Sequence, residues 1–137
     1  MPAELFVDSS AWYPLARTSH PDHEALAGAL RERVAAGARV VTTNLVIAES
    51  HALILSLAGP AAALAFLNQV RLPPNDIVYS DQDVESRAIT VWLSKYSDQT
   101  FSLADAVSFE VMKSRGIRDA LTLDSHFAMA GFVVVAG

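Results

Sequence analysis

The segment Leu5-Phe6-Val7-Asp8-Ser9-Ser10 places a carboxylate directly after a short apolar run. Such a run, followed by polar residues, is typical of a buried β-strand, and the two serines favour a turn into a helix. The charge of Asp8 is therefore predicted to lie at the end of a strand, beside the core. A charge in that position is costly unless a partner or a bound cation compensates it.

Short apolar strands and amphipathic helices alternate along the rest of the chain. The sequence predicts strands at residues 5–7, 39–42, 77–79, 120–122 and 132–135. It predicts helices at residues 12–16, 21–36, 44–57, 61–70, 80–96, 102–116 and 126–130, with Ser80 and Ser102 as helix caps. This alternation indicates an α/β fold with a parallel sheet that helices cover on both faces.

Composition limits the class of protein. Of the 137 residues 52% are apolar, and no linker, repeat or low-complexity tract divides them, so we expect a single domain spanning residues 1–137. We expect no secretory signal and no membrane span, and therefore a cytoplasmic protein without a membrane partner. The absence of cysteine excludes disulfides, thiol nucleophiles and cysteine-ligated metals.

Glu49 is a carboxylate inside an apolar helical pattern. Leu45 and Leu53 flank it at a spacing of one helical turn, so we expect its side chain to lie on an inward-facing stripe. Buried carboxylates without a partner are rare. This position therefore favours a functional role for Glu49.

Two further carboxylates lie at the edges of apolar segments. Asp105 falls in the first turn of a predicted helix, and Asp124 follows the apolar run at residues 117–123. Sites in open α/β sheets form beyond the carboxyl ends of the strands, so we expect these residues to converge with Asp8 and Glu49 on one pocket. Hard carboxylate oxygens suit Mg²⁺ or Mn²⁺ better than zinc.

Three of these acids also have a structural interpretation. Asp105 can complete a capping arrangement with Ser102, Asp8 can cap the short helix that follows it, and Asp124 can cap the turn that contains His126. The sequence leaves both interpretations open for each residue taken alone. Four acids at one predicted edge of a sheet favour a shared site.

The net charge of −5 is unusual for a protein that binds nucleic acid. A cluster of four carboxylates accounts for most of this excess, and a bound divalent ion would offset much of it. The cations are either a solvated outer face or local basic patches, and the candidates are Arg31, Arg33, Arg39, Lys113, Arg115 and Arg118.

Four short motifs occur in order along nearly the whole chain. They are Phe6-Val7-Asp8-Ser9-Ser10, Thr43-Asn44-Leu45-Val46-Ile47-Ala48-Glu49, Ser102-Leu103-Ala104-Asp105-Ala106 and Thr122-Leu123-Asp124-Ser125-His126-Phe127. Each motif is weak alone, but the ordered set resembles the PIN-domain nucleases, and among them the VapC-type toxins of bacterial toxin–antitoxin pairs. The family often has Thr-Asn or Thr-Ser after the first aspartate, where this chain keeps a hydroxyl in Ser9-Ser10.

The resemblance implies a three-layer α/β/α sandwich with a five-stranded parallel sheet and a Mg²⁺- or Mn²⁺-dependent endoribonuclease activity. It implies that Asp8, Glu49, Asp105 and Asp124 form the acidic catalytic quartet. We expect Asp8 and Asp105 to bind the principal metal directly, with Glu49 and Asp124 acting through water, a second metal or the attacking water. The implied partners are an RNA substrate, a VapB-like antitoxin protein and a second copy of the chain in a homodimer.

Several neighbouring residues have two interpretations each. Ser10, Thr43 and Ser102 can hold carboxylates or waters of the site, or act only as caps and turn residues. His126 can contact substrate or act as an acid, or it can make a structural hydrogen bond beside Phe127.

Three more residues stay undecided at this level. Trp12 and Tyr13 can stack on bases of a single strand, contact a partner protein, or pack in the core. Asp98 can be a turn residue or a ligand at the outer rim of the site.

Other functions compete with this interpretation. A receiver-type phosphoacceptor domain also binds Mg²⁺ at strand ends, but it needs a lysine near the last strands, and the chain has only Lys95 and Lys113. A metal-free binding module would not need all four acids. A free-standing RNA-processing nuclease remains the alternative within the family, although the compact length favours a toxin.

Overall fold

Five parallel strands form one sheet in the computed structural model, which describes residues 3–135. The strands are β1 (Glu4–Val7), β2 (Arg39–Thr43), β3 (Asn75–Val78), β4 (Asp119–Leu121) and β5 (Val133–Val135). This confirms the predicted α/β class and the five-stranded parallel sheet. The first two and last two residues of the predicted domain 1–137 lie outside the described residues.

Helices fill every connection between strands. They are α1 (Ser9–Ala16), α2 (His23–Ala35), α3 (Asn44–Ala58), α4 (Pro60–Val70), α5 (Gln82–Arg87), α6 (Leu103–Arg115) and α7 (His126–Met129). A π-helical segment, Ala88–Leu93, directly continues α5. Within the part of the chain that the structure describes, no helix is both long and apolar enough to cross a membrane.

The central strands are covered on both faces. Leu5, Phe6 and Val7 are consecutive in β1 and all fully buried, as are Val41 and Thr42 in β2. Because successive side chains of a strand point to opposite faces, this burial requires helices on each side of the sheet. Among the helices, α1 contacts α2 and α3, α6 contacts α5 and the π segment, and α3 also contacts α6.

In the strand order β3-β2-β1-β4-β5, successive strands are added first on one side of β1 and then on the other. From β1 the chain builds outward through β2 to β3, then returns to place β4 on the other side of β1. The carboxyl ends of β1 and β4 therefore border the crevice in which open α/β sheets form their sites. Asp8 directly follows β1, and Asp124 lies three residues after β4.

The helix predicted at residues 80–96 was wrong in two respects. Its cap is Asp81, whose carboxylate accepts a hydrogen bond from the backbone N–H of Val84, rather than Ser80. Ser80 instead donates its backbone N–H and its hydroxyl to Asn44 Oδ1, which ties the end of β3 to the start of α3. The regular helix ends at Arg87 and gives way to the wider π segment, within which Ala88 and Trp92 are buried.

Candidate active site

Asp8 is a buried carboxylate held by several donors. The hydroxyls of Ser10 and Thr122 lie 2.8 and 3.1 Å from its Oδ2, and the backbone N–H of Ser10 lies 3.3 Å from the same atom. Burial raises the pKa of Asp8 above the usual range, and these hydrogen bonds lower it again in part. Ionisation of Asp8 therefore costs free energy, which the hydrogen bonds from its neighbours only partly recover.

Glu49 faces the acids from the second turn of α3. Its Oε1 accepts a hydrogen bond of 3.3 Å from the hydroxyl of Ser9, which also lies 3.5 Å from Asp8 Oδ1. Loss of water around its carboxyl group raises the pKa of Glu49, and the negative charges of Asp8, Asp105 and Asp124 raise it further. The structure therefore brings Asp8, Asp105 and Asp124 within electrostatic reach of Glu49.

The expected inward stripe around Glu49 was wrong. Glu49 is exposed and Leu53 is 41% exposed, whereas the buried face of α3 carries Val46, Ile47, Ser50 and Ile54. These buried residues follow the helical period on a face beside that of Glu49. Glu49 reaches the acidic cluster, defined as Asp8, Glu49, Asp105 and Asp124, from the helix edge.

Asp105 and Asp124 approach each other around His126. The Nδ1 atom of His126 lies 2.9 Å from Asp105 Oδ2 and 3.5 Å from Asp124 Oδ1. Each of these residues offers one ligand atom, and the three atoms all lie within 4.8 Å of one another. This group could hold a metal ion. Asp8 and Glu49 lie outside the tight group of three.

A family model described as "PIN domain" matches residues 5–133 of the chain. The chain belongs to the PIN domain family. Its similarity to curated proteins agrees, since the 23S rRNA-specific endonuclease VapC20 of two Mycobacterium tuberculosis strains is 33% identical over 133 residues. That alignment covers 96% of this chain and 97% of the relative. The resemblance deduced from the four motifs is confirmed.

Solved structures show the same PIN fold. The crystal structure of Mycobacterium tuberculosis VapC20, described as a sarcin-ricin loop cleaving toxin, superposes with a TM-score of 0.84 at 30% identity, covering 97% of this chain and 99% of that chain. VapBC2 from Rickettsia felis, bound to a promoter DNA fragment, gives 0.71 at 10% identity over 96% and 97% of the two chains. FitAcB from Neisseria gonorrhoeae gives 0.68 at 16% identity over 95% of each. The last two comparisons support the fold alone.

The neighbouring polar residues of this PIN domain make the hydrogen bonds of caps and turns. Ser102 and Asp105 form a complete capping box on α6, and Thr43 caps α3 by accepting from the backbone N–H of Val46. Ser10 links Asp8 to the segment that follows β4, because its hydroxyl also accepts from the backbone N–H of Leu123 at 2.9 Å. Ser10 and Ser102 thus touch acids of the cluster directly.

Trp12 is a core residue in the PIN fold. It is only 7% exposed, and its indole N–H donates to Thr42 Oγ1 at 3.3 Å. Tyr13 packs edge-on against His20 with ring centroids 5.6 Å apart. Asp98 lies exposed in the turn that follows the π segment.

Sequence reasoning missed two side chains that organise the site. Thr122 is fully buried, donates to Asp8 and accepts from the backbone N–H of Asp124, so it fixes both acids at once. Ser9 bridges Asp8 and Glu49. The available signal was their position in the motifs, since Ser9 directly follows Asp8 and Thr122 lies two residues before Asp124.

Glu110 shows a limit of the same reasoning. It is 5% exposed, so it is a buried acid on an apolar helix, yet it lies outside the acidic cluster. Its carboxylate accepts from Arg87 at 3.1 Å, from the indole of Trp92 at 3.3 Å and from Ser114 at 3.2 Å. These hydrogen bonds explain why a carboxylate is buried at Glu110 without a role in the site.

Proposed function

We propose that this PIN domain is a divalent-metal-dependent endoribonuclease that acts as the toxin of a toxin–antitoxin pair. The single observation that carries the proposal is the acidic cluster at the carboxyl edge of the sheet. Family membership and the 33% identity to an rRNA endonuclease over nearly the whole chain support it. Ribosomal RNA, the substrate that the relative's name gives, is the first RNA to test.

The cluster has a charge that the protein does not balance. Within residues 3–135, the ion pairs that involve Lys or Arg are Arg33–Asp119, Arg87–Glu110, Arg115–Glu4 and Arg115–Asp76, and all of them lie outside the cluster. Mutual repulsion contributes to the raised pKa of Glu49. Like charges brought together in this way are stabilised by a bound cation. The donor set therefore fits a divalent metal ion.

Mg²⁺ or Mn²⁺ is the ion that we propose, because carboxylate oxygens dominate the cluster. Asp8, Glu49, Asp105 and Asp124 would hold it, directly or through water. When bound, such an ion lowers the pKa of a coordinated water and offsets negative charge on a phosphate.

The chain's own residues supply positioning and proton transfer. Ser10 and Thr122 fix the orientation of Asp8, and Ser102 fixes that of Asp105 through the capping box. The exposed carboxylate of Glu49, with its raised pKa, is placed to orient the attacking water and accept its proton.

Cleavage assays on the purified protein test this function. RNA cleavage should require Mg²⁺ or Mn²⁺ and stop with a chelator, and Asp8→Asn should reduce it by about 10²-fold or more, as for removal of a key charged group. Asp83→Asn, at an exposed position of α5, is the control and should cleave at the parental rate. Equal cleavage by the parent and by Asp8→Asn would refute the proposed site.

Thermal melts test the metal independently of catalysis. An ion that binds only the folded chain should stabilise it by about 2.7 kcal/mol at one hundred times its dissociation constant. Mn²⁺ should therefore raise the Tm of the parent but not that of Asp8→Asn/Asp105→Asn. An equal rise in both proteins would place the ion elsewhere.

An antitoxin partner is supported by an apolar groove on the surface that α1, α2 and α4 share. A cavity of about 510 Å³ between α1 and α4 is lined by Leu15, Phe66 and Val70, among others. A second cavity of about 600 Å³ includes Leu30 and Val34 of α2. Both cavities share three lining residues, Trp12, Gln69 and Asn75, so they form one continuous groove. We propose that an amphipathic helix of a VapB-like antitoxin lies in this groove, and that an Arg or Lys of its tail reaches the acidic cluster.

We also propose a homodimer. Leu53 and Leu57, one turn apart on α3, are 41% and 56% exposed, which favours their burial against a second copy. Sedimentation equilibrium of the purified protein should give twice the chain mass, and Leu57→Glu should reduce it to the monomer. A free-standing RNA-processing nuclease is the alternative function if no antitoxin exists.

A further inference from the structure

We propose that His126 is itself a metal ligand and supplies an imidazole nitrogen beside the carboxylates of Asp105 and Asp124. The inference rests on the proposed metal-dependent function and refines it. The acidic residues alone would give the ion an all-oxygen environment, whereas His126 would make it a mixed oxygen and nitrogen site.

The imidazole of His126 lies close to the carboxylates of Asp105 and Asp124. His126 Nδ1 is 2.9 Å from Asp105 Oδ2 and 3.5 Å from Asp124 Oδ1. One atom from each residue belongs to a group whose members all lie within 4.8 Å of one another. Among residues 3–135, Asp105, Asp124 and His126 are the histidine and acidic side chains that come close enough together to share a metal ion. The imidazole is therefore an integral part of the tightest constellation in the cluster.

Two contacts hold the imidazole ring in this orientation, and a third fixes the neighbouring carboxylate. Its ring packs edge-on against Phe101 with centroids 5.2 Å apart, and its Nε2 lies 3.3 Å from Thr100 Oγ1. The backbone N–H of His126 donates to Asp124 Oδ1 at 2.9 Å. Fixing one ring nitrogen by a hydrogen bond is the usual way in which proteins aim the other nitrogen at a metal.

Two other histidines of the chain lack this arrangement. His20 Nδ1 accepts from the backbone N–H of Asp22, and His23 Nδ1 lies 2.9 Å from the carbonyl of Pro14. Both lie at the α1–α2 connection, away from the acidic cluster. His20 is therefore a suitable control position.

A nitrogen ligand changes the expected metal preference. Carboxylates and water suit Mg²⁺ and Mn²⁺, whereas imidazole favours later transition metals such as Co²⁺. Removing the imidazole should therefore weaken Co²⁺ binding much more than Mg²⁺ binding. A residue that only orients Asp105 through a hydrogen bond would affect both ions alike.

Pulsed electron paramagnetic resonance of the Mn²⁺-loaded, untagged protein tests the ligand directly. A coordinated imidazole should give ¹⁴N modulation of the Mn²⁺ echo, which should change on labelling histidine with ¹⁵N and vanish in His126→Ala. His20→Ala should keep the modulation. Bound Mn²⁺ without ¹⁴N modulation in the parent would overturn the inference while leaving the metal-dependent nuclease intact.

Calorimetric titration supplies the second measurement. We expect His126→Ala to raise the dissociation constant for Co²⁺ about tenfold or more and that for Mg²⁺ less than about threefold. An equal effect on both ions would overturn the ligand role. Failure of the parent to bind Mn²⁺, Co²⁺ or Mg²⁺ would overturn the inference together with the proposed function.

Discussion

At the scale of single residues, burial and partners separate a functional acid from a structural one. Glu49 and Glu110 both sit in apolar helices, and the sequence alone favoured Glu49 because it expected burial there. The structure reverses the burial, since Glu49 is exposed and Glu110 is 5% exposed. What distinguishes them is charge, because Glu110 pairs with Arg87 whereas Glu49 faces other carboxylates. The location of Glu49 was predicted correctly for a reason that was wrong.

This difference predicts opposite effects for two matched substitutions. Glu110→Gln should destabilise the fold by about 1–3 kcal/mol, because it weakens charge-assisted hydrogen bonds, and leave RNA cleavage unchanged. Glu49→Gln should abolish cleavage and, in the absence of metal, leave the fold at least as stable as the parent. Denaturant unfolding and cleavage rates check both. The same loss of cleavage in both variants would mean that the acidic cluster is not the site.

The raised pKa of Glu49 also predicts a pH dependence of stability. Between the ordinary pKa of a glutamate and its raised value, the folded chain binds more protons at this group than the unfolded chain. Stability from this group is therefore greatest at low pH and falls as the pH rises through the raised pKa. With a chelator present, the Tm of the parent should fall relative to the Tm of Glu49→Gln as the pH increases. A difference that does not change with pH would contradict the raised pKa.

At the scale of elements, the sequence correctly predicted the strands and helix ends that local residue patterns determine. The strands β1, β2 and β4 and the start of α6 were predicted to within one or two residues, because apolar runs and the cap at Ser102 mark them. The π segment could not be predicted in this way. Its buried Trp92 stacks on Tyr96 and contacts Phe109 of α6, so a tertiary contact accompanies the change of helical pitch.

The capping box of α6 joins stability to the site. Ser102 Oγ accepts from the backbone N–H of Asp105 at 3.0 Å, and the backbone N–H of Ser102 donates to Asp105 Oδ2 at 3.1 Å. Ser102→Ala should cost about 1 kcal/mol of stability, because it removes the side-chain cap but keeps the backbone donor to Asp105. Cleavage should fall measurably in saturating metal because one restraint on α6 is lost.

A cap on another helix provides the control for Ser102. The carboxylate of Asp81 caps α5 by accepting from the backbone N–H of Val84 at 2.9 Å. Asp81→Ala removes this cap and should cost a similar amount of stability. It should leave the cleavage rate unchanged, since α5 carries no residue of the acidic cluster. Equal losses of activity in both variants would show a general effect of stability rather than a role of the box.

At the scale of the whole molecule, the two edges of the sheet differ in charge. Acids gather at the carboxyl edge, whereas Arg39, Arg115 and Arg118 line a cavity of about 780 Å³ at the edge where the strands begin. Arg115 pairs there with Glu4 and Asp76. Glu4 and Asp119 line the same cavity, so acids at this edge partly balance these arginines, and the arginines do not neutralise the acidic cluster. Sequence could name the cations but not their distribution, which depends on the order of the strands.

The groove and the cluster together predict a regulated toxin. Expression of this chain alone should arrest growth, because an uninhibited endoribonuclease degrades essential RNA, and co-expression of a small antitoxin gene adjacent to it should restore growth. Ala65→Arg should keep the arrest but abolish the rescue, because Ala65 is exposed on α4 and lines the groove that a partner helix would fill. Asn68→Arg, exposed on the same helix, should leave the rescue intact.

Colony counts under induction, with immunoblots to verify expression, give the measurement. Normal growth with verified expression of folded, metal-binding protein would exclude the toxin and favour the free-standing nuclease, while rescue of Ala65→Arg would move the partner away from the groove.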